Sequence, residues 1–94
     1  MEISQLIFTG VIVREKDRYS ALCIDLDVAS EGEKINEAKK NLFEAVTLYI
    51  ESALESNLPI IRPVPVEENP LHTRAKDIVE KFNIKVSLQV HAHA

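Results

Sequence analysis

The chain has 94 residues, of which 46% are apolar, and this is enough for the core of one domain and argues against intrinsic disorder. The formal net charge of −4 disfavours non-specific nucleic-acid binding, which needs a positive field, and suits a basic protein partner. A single cysteine excludes an internal disulfide and a multi-cysteine zinc site. No apolar run approaches the roughly 20 residues of a membrane span, and the first residues lack the basic flank of a signal peptide. We therefore expect a cytoplasmic protein that does not enter a membrane.

The first third of the chain predicts a β-hairpin. Residues 3–15 are apolar in both alternating sets, which predicts a strand covered on both faces. Residues 19–26 alternate as its partner strand, and residues 27–31 predict a brief third strand or a turn. Gly10 predicts a bulge or a close approach to the backbone. Because so short a chain has little to spare for a second layer, we expect a subunit interface to cover one face of the first strand.

A long amphipathic helix is predicted after Gly32, which is expected to adopt a backbone conformation that other residues avoid. Small and apolar residues recur at spacings of three and four and predict one buried stripe that ends near Asn57. The stripe consists of Ile35, Ala38, Leu42, Ala45, Val46, Tyr49, Ile50 and Ala53. The opposite face carries Asn36, Lys39, Lys40, Glu44, Thr47 and Glu51, which suits water. No Ser, Thr or Asp directly precedes Ile35, so the helix start is imperfectly capped.

The last third predicts a connector, a short helix and a strand. Four prolines make residues 58–70 an extended connector. Asn69 and Pro70 signal a helix start, and apolar spacing predicts a helix over 71–82. Residues 84–90 alternate as a half-buried strand at a sheet edge or an oligomer seam. The fold class is therefore α+β, in the order β-β-β-α-α-β: an antiparallel three- to four-stranded sheet carries one long helix and a short second helix. It forms one domain, 1–94, comprising a core (1–57), the connector (58–70) and the terminal helix and strand (71–94).

An acidic cluster is the main candidate for a functional site. Asp25, Asp27, Glu31 and Glu33 are its members. Asp25 and Asp27 are two apart on a segment expected to be extended, so their carboxylates should point the same way, as a two-metal nuclease requires. Such a nuclease needs further carboxylates from separate elements, and a solvated turn beside a helix start explains the cluster more simply. Binding of a basic partner is the functional role that these residues favour.

Three other residues carry weaker signals. His91 and His93 are two apart and could chelate a metal in an extended tail, although a solvated tail is the simpler interpretation. Cys23 lies among apolar strand residues and is expected to be a buried structural cysteine rather than a nucleophile. We predict no catalytic residue and no cofactor.

The central stretch combines several motifs at fixed spacing: a hairpin, an acidic-leucine turn, a small-residue step, a glycine and a helix that opens with a glutamate-alanine pair. They are Ala21, Asp25-Leu26-Asp27-Val28-Ala29-Ser30, Gly32, Glu37-Ala38, Asn41-Leu42, Glu44-Ala45, Tyr49 and Glu51. Over residues 5–55 this pattern resembles the HicB-like antitoxin family of type II toxin–antitoxin systems. It departs from the family at Lys34, where a threonine usually caps the helix, and in the turn, where Ile24 and Asp27 replace a common proline.

The resemblance implies a truncated ribonuclease-H-like sheet with one helix packed on it, and assembly into dimers or tetramers. It also implies an antitoxin, or a solitary relative, that binds and blocks a small basic HicA-like RNA-cleaving toxin. Residues 70–94 are too few for the three-helix DNA reader that full-length antitoxins often add, so operator binding is not expected. Two alternatives remain: a structural oligomer without a toxin, and, less favoured, a small metal-dependent nuclease that uses Asp25 and Asp27.

Overall fold

The computed structural model describes the backbone of residues 2–90 and the side chains of residues 5–87. It consists of β1 (Glu2–Arg14), β2 (Tyr19–Cys23), β3 (Val28–Gly32), α1 (Ile35–Glu55), α2 (Pro70–Thr73) and β4 (Ile78–Val90). Short 3-10 turns at Val66–Glu68 and Ala75–Asp77 flank α2. The predicted α+β class and the element order are confirmed. No helix of the described residues is long and apolar enough to cross a bilayer.

The four strands form one antiparallel sheet in the order β3-β2-β1-β4. β1 is central, and β4 is an edge strand, as its alternation predicted. β2 pairs with β1 only from Gly10 onwards, whereas β4 pairs with β1 from Glu2 to Val13. Residues 2–8 and 84–90 therefore form a two-stranded extension of the sheet.

The core lies between α1 and one face of the sheet. The buried stripe of α1 comprises Ala38, Leu42, Val46, Ile50 and Ala53, all of which the helical spacing predicted. Its first four residues pack with residues of the sheet and of the turn after β2, namely Phe8, Ile12, Ala21, Cys23, Leu26 and Ile84. Burial of each large aliphatic side chain in this layer contributes about 1.5–3 kcal/mol to the stability of the fold.

Side chains of α1 itself stabilise the start of the helix. Lys34 occupies the N-cap position and makes no side-chain cap, as predicted. Glu37 instead reaches back, and its Oε1 accepts the backbone N–H of Glu33 (3.0 Å). Asn41 Nδ2 donates to the carbonyl of Glu31 (2.8 Å), which ties the first turns of the helix to β3.

The end of α1 is closed at the predicted residue. Asn57 adopts the left-handed conformation, with φ of 55°. Its N–H donates to the carbonyl of Leu54 (3.2 Å), and the N–H of Leu58 donates to that of Ala53 (2.8 Å). These two bonds make a Schellman motif and satisfy carbonyls that the helix end would otherwise leave unpaired.

The two glycines are both sites of close approach. Gly10 faces the Phe82 ring, which confirms one of the two alternatives predicted for it, and the irregularity of the strand lies at Ile12 and Val13 instead. The expectation that Gly32 needs an unusual backbone conformation is wrong, because its φ is not positive. A Cβ at Gly32 would lie 2.6 Å from the backbone nitrogen of Ala38, so the position requires glycine because the helix start packs against it.

The second helix is much shorter than predicted. Asn69 does cap it, since its Oδ1 accepts the N–H of Leu71 (3.0 Å), but α2 ends at Thr73. The expected helix over 71–82 is wrong beyond that turn, and residues 78–82 belong to β4. A helix of the predicted length, residues 71–82, would be only marginally stable by itself. As part of the strand β4, residues 78–82 instead pair with β1 and satisfy backbone hydrogen-bonding groups along one of its sides.

The second face of β1 is covered at one end by the chain itself. Val11 and Val13 are 0% and 3% exposed, and Val13 lines a cavity with Pro70 of α2. The connector is hydrogen-bonded to the turn after β2, where Val64 N–H donates to the carbonyl of Ile24 (2.9 Å). A subunit interface is therefore not required at this end, contrary to expectation. Ile7, nearer the start of β1, is 58% exposed.

Candidate protein-binding surfaces

Asp25 and Asp27 lie in the turn between β2 and β3, not on an extended segment. The half-buried Asp25 carboxylate accepts the backbone N–H of Thr9 through Oδ2 (2.6 Å). Its carbonyl accepts the N–H of Arg62 (3.1 Å), so this residue joins the turn to β1 and to the connector. Asp27 is exposed and has a left-handed φ of 55°. The extended geometry that was expected to align the two carboxylates is therefore wrong.

Glu31 and Glu33 lie at the opposite end of β3. Val28, beside the turn, pairs with Cys23, and Glu31 pairs with Ser20 near the start of β2. The strand rise separates the backbones of Val28 and Glu31 by about 10 Å. The Glu31 carboxylate accepts Arg18 Nη1 (2.7 Å) at the surface, and Glu33 is exposed just before α1. The four acidic residues therefore form two pairs along an edge strand rather than one cluster.

This arrangement does not favour metal-dependent catalysis. Within the described part of the chain, no group of three or more His, Cys, Asp and Glu side chains could hold a metal ion. Asp25 is engaged with a backbone amide, and its partner in the predicted nuclease site, Asp27, is on the solvent side of a turn. His91 and His93, the weaker metal candidates, lie outside the described residues.

Cys23 is a buried residue of the core, as predicted. Its side chain is 0% exposed and packs in the layer beneath α1. Burial raises the pKa of the thiol to about 11. The thiolate is the nucleophilic form of cysteine, so this thiol is unreactive at neutral pH.

An ion pair fastens the segment around α2 to the first hairpin. Arg74 Nη1 donates to Glu15 Oε1 (2.8 Å), and Nη2 donates to the carbonyl of Arg14 (3.2 Å). Arg74 also contacts Asp77 (3.2 Å). The Arg74 guanidinium lowers the pKa of the Glu15 carboxyl. These contacts position the segment that covers Val13, which is a structural role.

The outer face of α1 carries a groove that the helical pattern did not predict. It is a shallow, open groove of about 430 Å³ lined by Phe43, Glu44, Thr47, Leu48 and Glu51, and we call it the α1 groove. Leu48 is 65% exposed and Phe43 is 37% exposed. The polar residues expected to face water here, Glu44, Thr47 and Glu51, are exposed, but that expectation did not include the two large apolar residues beside them. The sequence feature that could have identified Phe43 and Leu48 is that both are large apolar residues outside the predicted buried stripe.

A second groove lies where α1 meets the connector. It has a volume of about 380 Å³ and is lined by Tyr49, Ser52, Ala53, Leu58, Pro59, Ile61 and Arg62. The Tyr49 hydroxyl donates to the carbonyl of Ile60 (3.0 Å), and the Arg62 guanidinium lies 5.4 Å from the Tyr49 ring centre. These contacts hold the connector on the helix end.

No family model and no curated protein matches the chain. Two solved structures are similar to it. The N-terminal domain of the Burkholderia pseudomallei antitoxin HicB has 24% sequence identity and a TM-score of 0.57, and the match covers 93% of this chain and all of that chain. The chain has a HicB-like fold. A chain of a HicA3 and HicB3 toxin–antitoxin complex matches with 16% identity and a TM-score of 0.56, over the same shares of both chains. The HicB-like fold therefore extends well beyond the stretch, residues 5–55, that carries the sequence resemblance.

Proposed function

We propose that this protein is a cytoplasmic HicB-like antitoxin, or a solitary relative of one, that binds and occludes a small basic HicA-like RNA-cleaving toxin. The HicB-like fold, over 93% of the chain, is the observation that carries this proposal. One of the similar structures comes from a HicA3 and HicB3 toxin–antitoxin complex. The net charge of −4 supports a basic partner, because complementary potentials steer association.

Occlusion of a toxin requires a binding surface but no catalytic group. In this proposal the exposed acidic residues contact the toxin, and the half-buried Asp25 supports the surface that carries them. Asp27 and Glu33 are exposed at the two ends of the edge strand β3, and Glu31, exposed on that strand, forms a surface ion pair with Arg18. We assign them to steering and orienting the basic toxin. Asp25 supports them by holding the turn on β1 through Thr9.

Co-expression with the HicA-like proteins of the source organism tests the antitoxin function. We expect the protein to restore growth when such a toxin is induced and to co-purify with it as a discrete complex. The combined variant Asp27→Asn/Glu33→Gln should slow association and weaken its salt dependence. The matched variant Glu67→Gln/Glu68→Gln, with the same charge change at exposed connector residues, should behave as wild type. Failure of the soluble wild-type protein to restore growth, or the lack of any HicA-like protein in that organism, would contradict the proposal.

Self-association is a second proposal, and the two-stranded extension of the sheet favours it. Residues 2–8 of β1 pair only with β4, and two-stranded ribbons are marginally stable alone. Ile7 is 58% exposed on this extension. We propose that a second copy covers it in a dimer or tetramer. Light scattering on the pure protein should give a discrete oligomer that Ile7→Lys dissociates, and a wild-type monomer would contradict the proposal.

A further inference from the structure

We infer that the α1 groove is the docking site for a basic amphipathic helix of the partner protein, an inference that rests on the proposed function. The groove runs along the outer surface of α1, on the side away from the sheet. Neither the predicted acidic cluster nor the resemblance singled out its apolar residues.

The groove exposes two apolar side chains that do not belong to the core of the fold. The inward stripe of α1 already buries five residues, and Leu48 and Phe43 are not among the residues that form the core cluster. Single exposed apolar residues are ordinary on protein surfaces. Here two of them line one groove, beside two glutamates and a threonine.

The charge around the groove specifies a basic occupant. Residues 43–55 contain three glutamates and no lysine or arginine. Glu44 precedes Leu48 by four residues and Glu51 follows it by three, so both carboxylates lie on the same helical face as the leucine. In the described part of the chain, neither glutamate is in an ion pair. Lys40, one turn before Glu44, is exposed and does not pair with it.

A third glutamate, Glu55, lies at the C-terminal end of the same helix. The C-terminal end of a helix carries partial negative charge, so acidic residues there are unfavourable and basic ones favourable. Glu55 nevertheless occupies the last turn of α1, which holds no basic residue, and Glu51 lies one turn before it. A cationic side chain from a partner would therefore be favourable at this end of the helix.

A helix is a partner element that can pack lengthwise along this exposed face of α1. Side chains on one helix form ridges that pack into the grooves of another. A partner helix with apolar residues facing Leu48 and lysines or arginines on either side would pair with Glu44 and Glu51, as flanking charges do in coiled coils. A second copy of this chain would instead place glutamates against glutamates, which like-charge repulsion disfavours.

Fluorescence anisotropy with a synthetic peptide tests the inference. The probe is a labelled amphipathic helix of leucine and lysine, and the comparison peptide has glutamate in place of each lysine. We expect the wild-type protein to bind the lysine peptide and not the glutamate peptide. Leu48→Ser should raise the Kd by about tenfold or more, as loss of a central apolar contact does. Glu44→Gln/Glu51→Gln should raise it and weaken its salt dependence.

The connector supplies matched controls. Val66 is 69% exposed, close to the 65% of Leu48, and Glu67 and Glu68 are exposed beside it. Val66→Ser and Glu67→Gln/Glu68→Gln should leave the Kd unchanged. The inference would be overturned if wild type does not bind, if the groove variants bind as wild type does, or if the connector variants weaken binding equally. Because all these residues are exposed, circular dichroism should show every variant to be folded.

The growth assay separates this inference from the proposed function. If Leu48→Ser restores growth as well as wild type at equal expression, the toxin docks elsewhere and the inference fails, while the antitoxin function stands. If wild type fails to restore growth yet binds the lysine peptide through the groove, the proposed function fails and the preference of the groove for a basic helix stands.

Discussion

The ring of Phe82 on the edge strand β4 lies directly against the backbone of Gly10 in the central strand β1. The two residues are partners in the strand register. A Cβ on Gly10 would lie 2.5 Å from Cζ of the ring. The ammonium group of Lys39 on α1 lies 4.7 Å from the centre of the same ring, and Lys39 also forms an ion pair with Glu80. The absence of a side chain at Gly10 thus lets β4 contact both the sheet and the helix.

Replacement of Gly10 by alanine should test this packing. We expect Gly10→Ala to lower the free energy of unfolding by about 1–3 kcal/mol, the usual cost of overpacking. The penalty should shrink in a Phe82→Leu background, because the clashing ring atoms are then gone. Urea unfolding of the two single variants and the double variant measures this coupling. Strict additivity of the two changes would contradict the account.

Gly32→Ala should behave differently. Here the added Cβ would lie 2.6 Å from the backbone nitrogen of Ala38, and no side-chain change can move that atom. We expect a larger loss of stability than for Gly10→Ala, together with weakened helicity at the start of α1. Denaturant midpoints and circular dichroism measure both effects, and a milder effect than that of Gly10→Ala would contradict this view of Gly32.

Asp25 should prove to be a structural residue. Asp25→Ala removes the acceptor of the Thr9 amide, and loss of a hydrogen bond to a charged group costs about 1.5–3 kcal/mol. The exposed Asp27→Asn variant should lie within about 0.5 kcal/mol of wild type. Urea unfolding measures both values. Metal-dependent loss of RNA that Asp25→Asn abolishes would contradict this view and favour the nuclease alternative.

The buried thiol should make stability fall at alkaline pH. The pKa of Cys23 is about 11 in the folded protein, above the roughly 8.5 of an unfolded thiol. Its contribution to stability is therefore fully present below the unfolded pKa and is lost as the pH rises towards the folded pKa. Urea unfolding across this range should show the loss, and Cys23→Ala should remove that component. Rapid reaction of the native thiol with a disulfide reagent at neutral pH would contradict the burial of Cys23.

Strong local signals made much of this fold predictable from the sequence. The buried stripe of α1 follows from its helical spacing, and Asn57 ends the helix where a left-handed residue was expected. The error at β4 arose because the apolar residues Ile78, Val79 and Phe82 suit a helical stripe and a strand equally well. Pairing with β1, a contact between the two ends of the chain, decided between them.

The site was less predictable than the fold because it depends on which residues the hairpin brings together. Asp25 and Glu33 are close in sequence, yet the strand β3 separates them. The α1 groove was missed for another reason. An amphipathic pattern averages over a helical face, so the polar neighbours of Phe43 and Leu48 concealed their exposure.

The most direct measurement is the RNA-cleaving activity of the organism's HicA-like toxin during titration with the purified protein. Our account predicts that cleavage falls to the background level at stoichiometric equivalence, and that Leu48→Ser shifts the titration to higher protein concentration while Val66→Ser does not. Undiminished cleavage in a large excess of folded wild-type protein would contradict the proposal that this HicB-like fold acts by occluding a toxin.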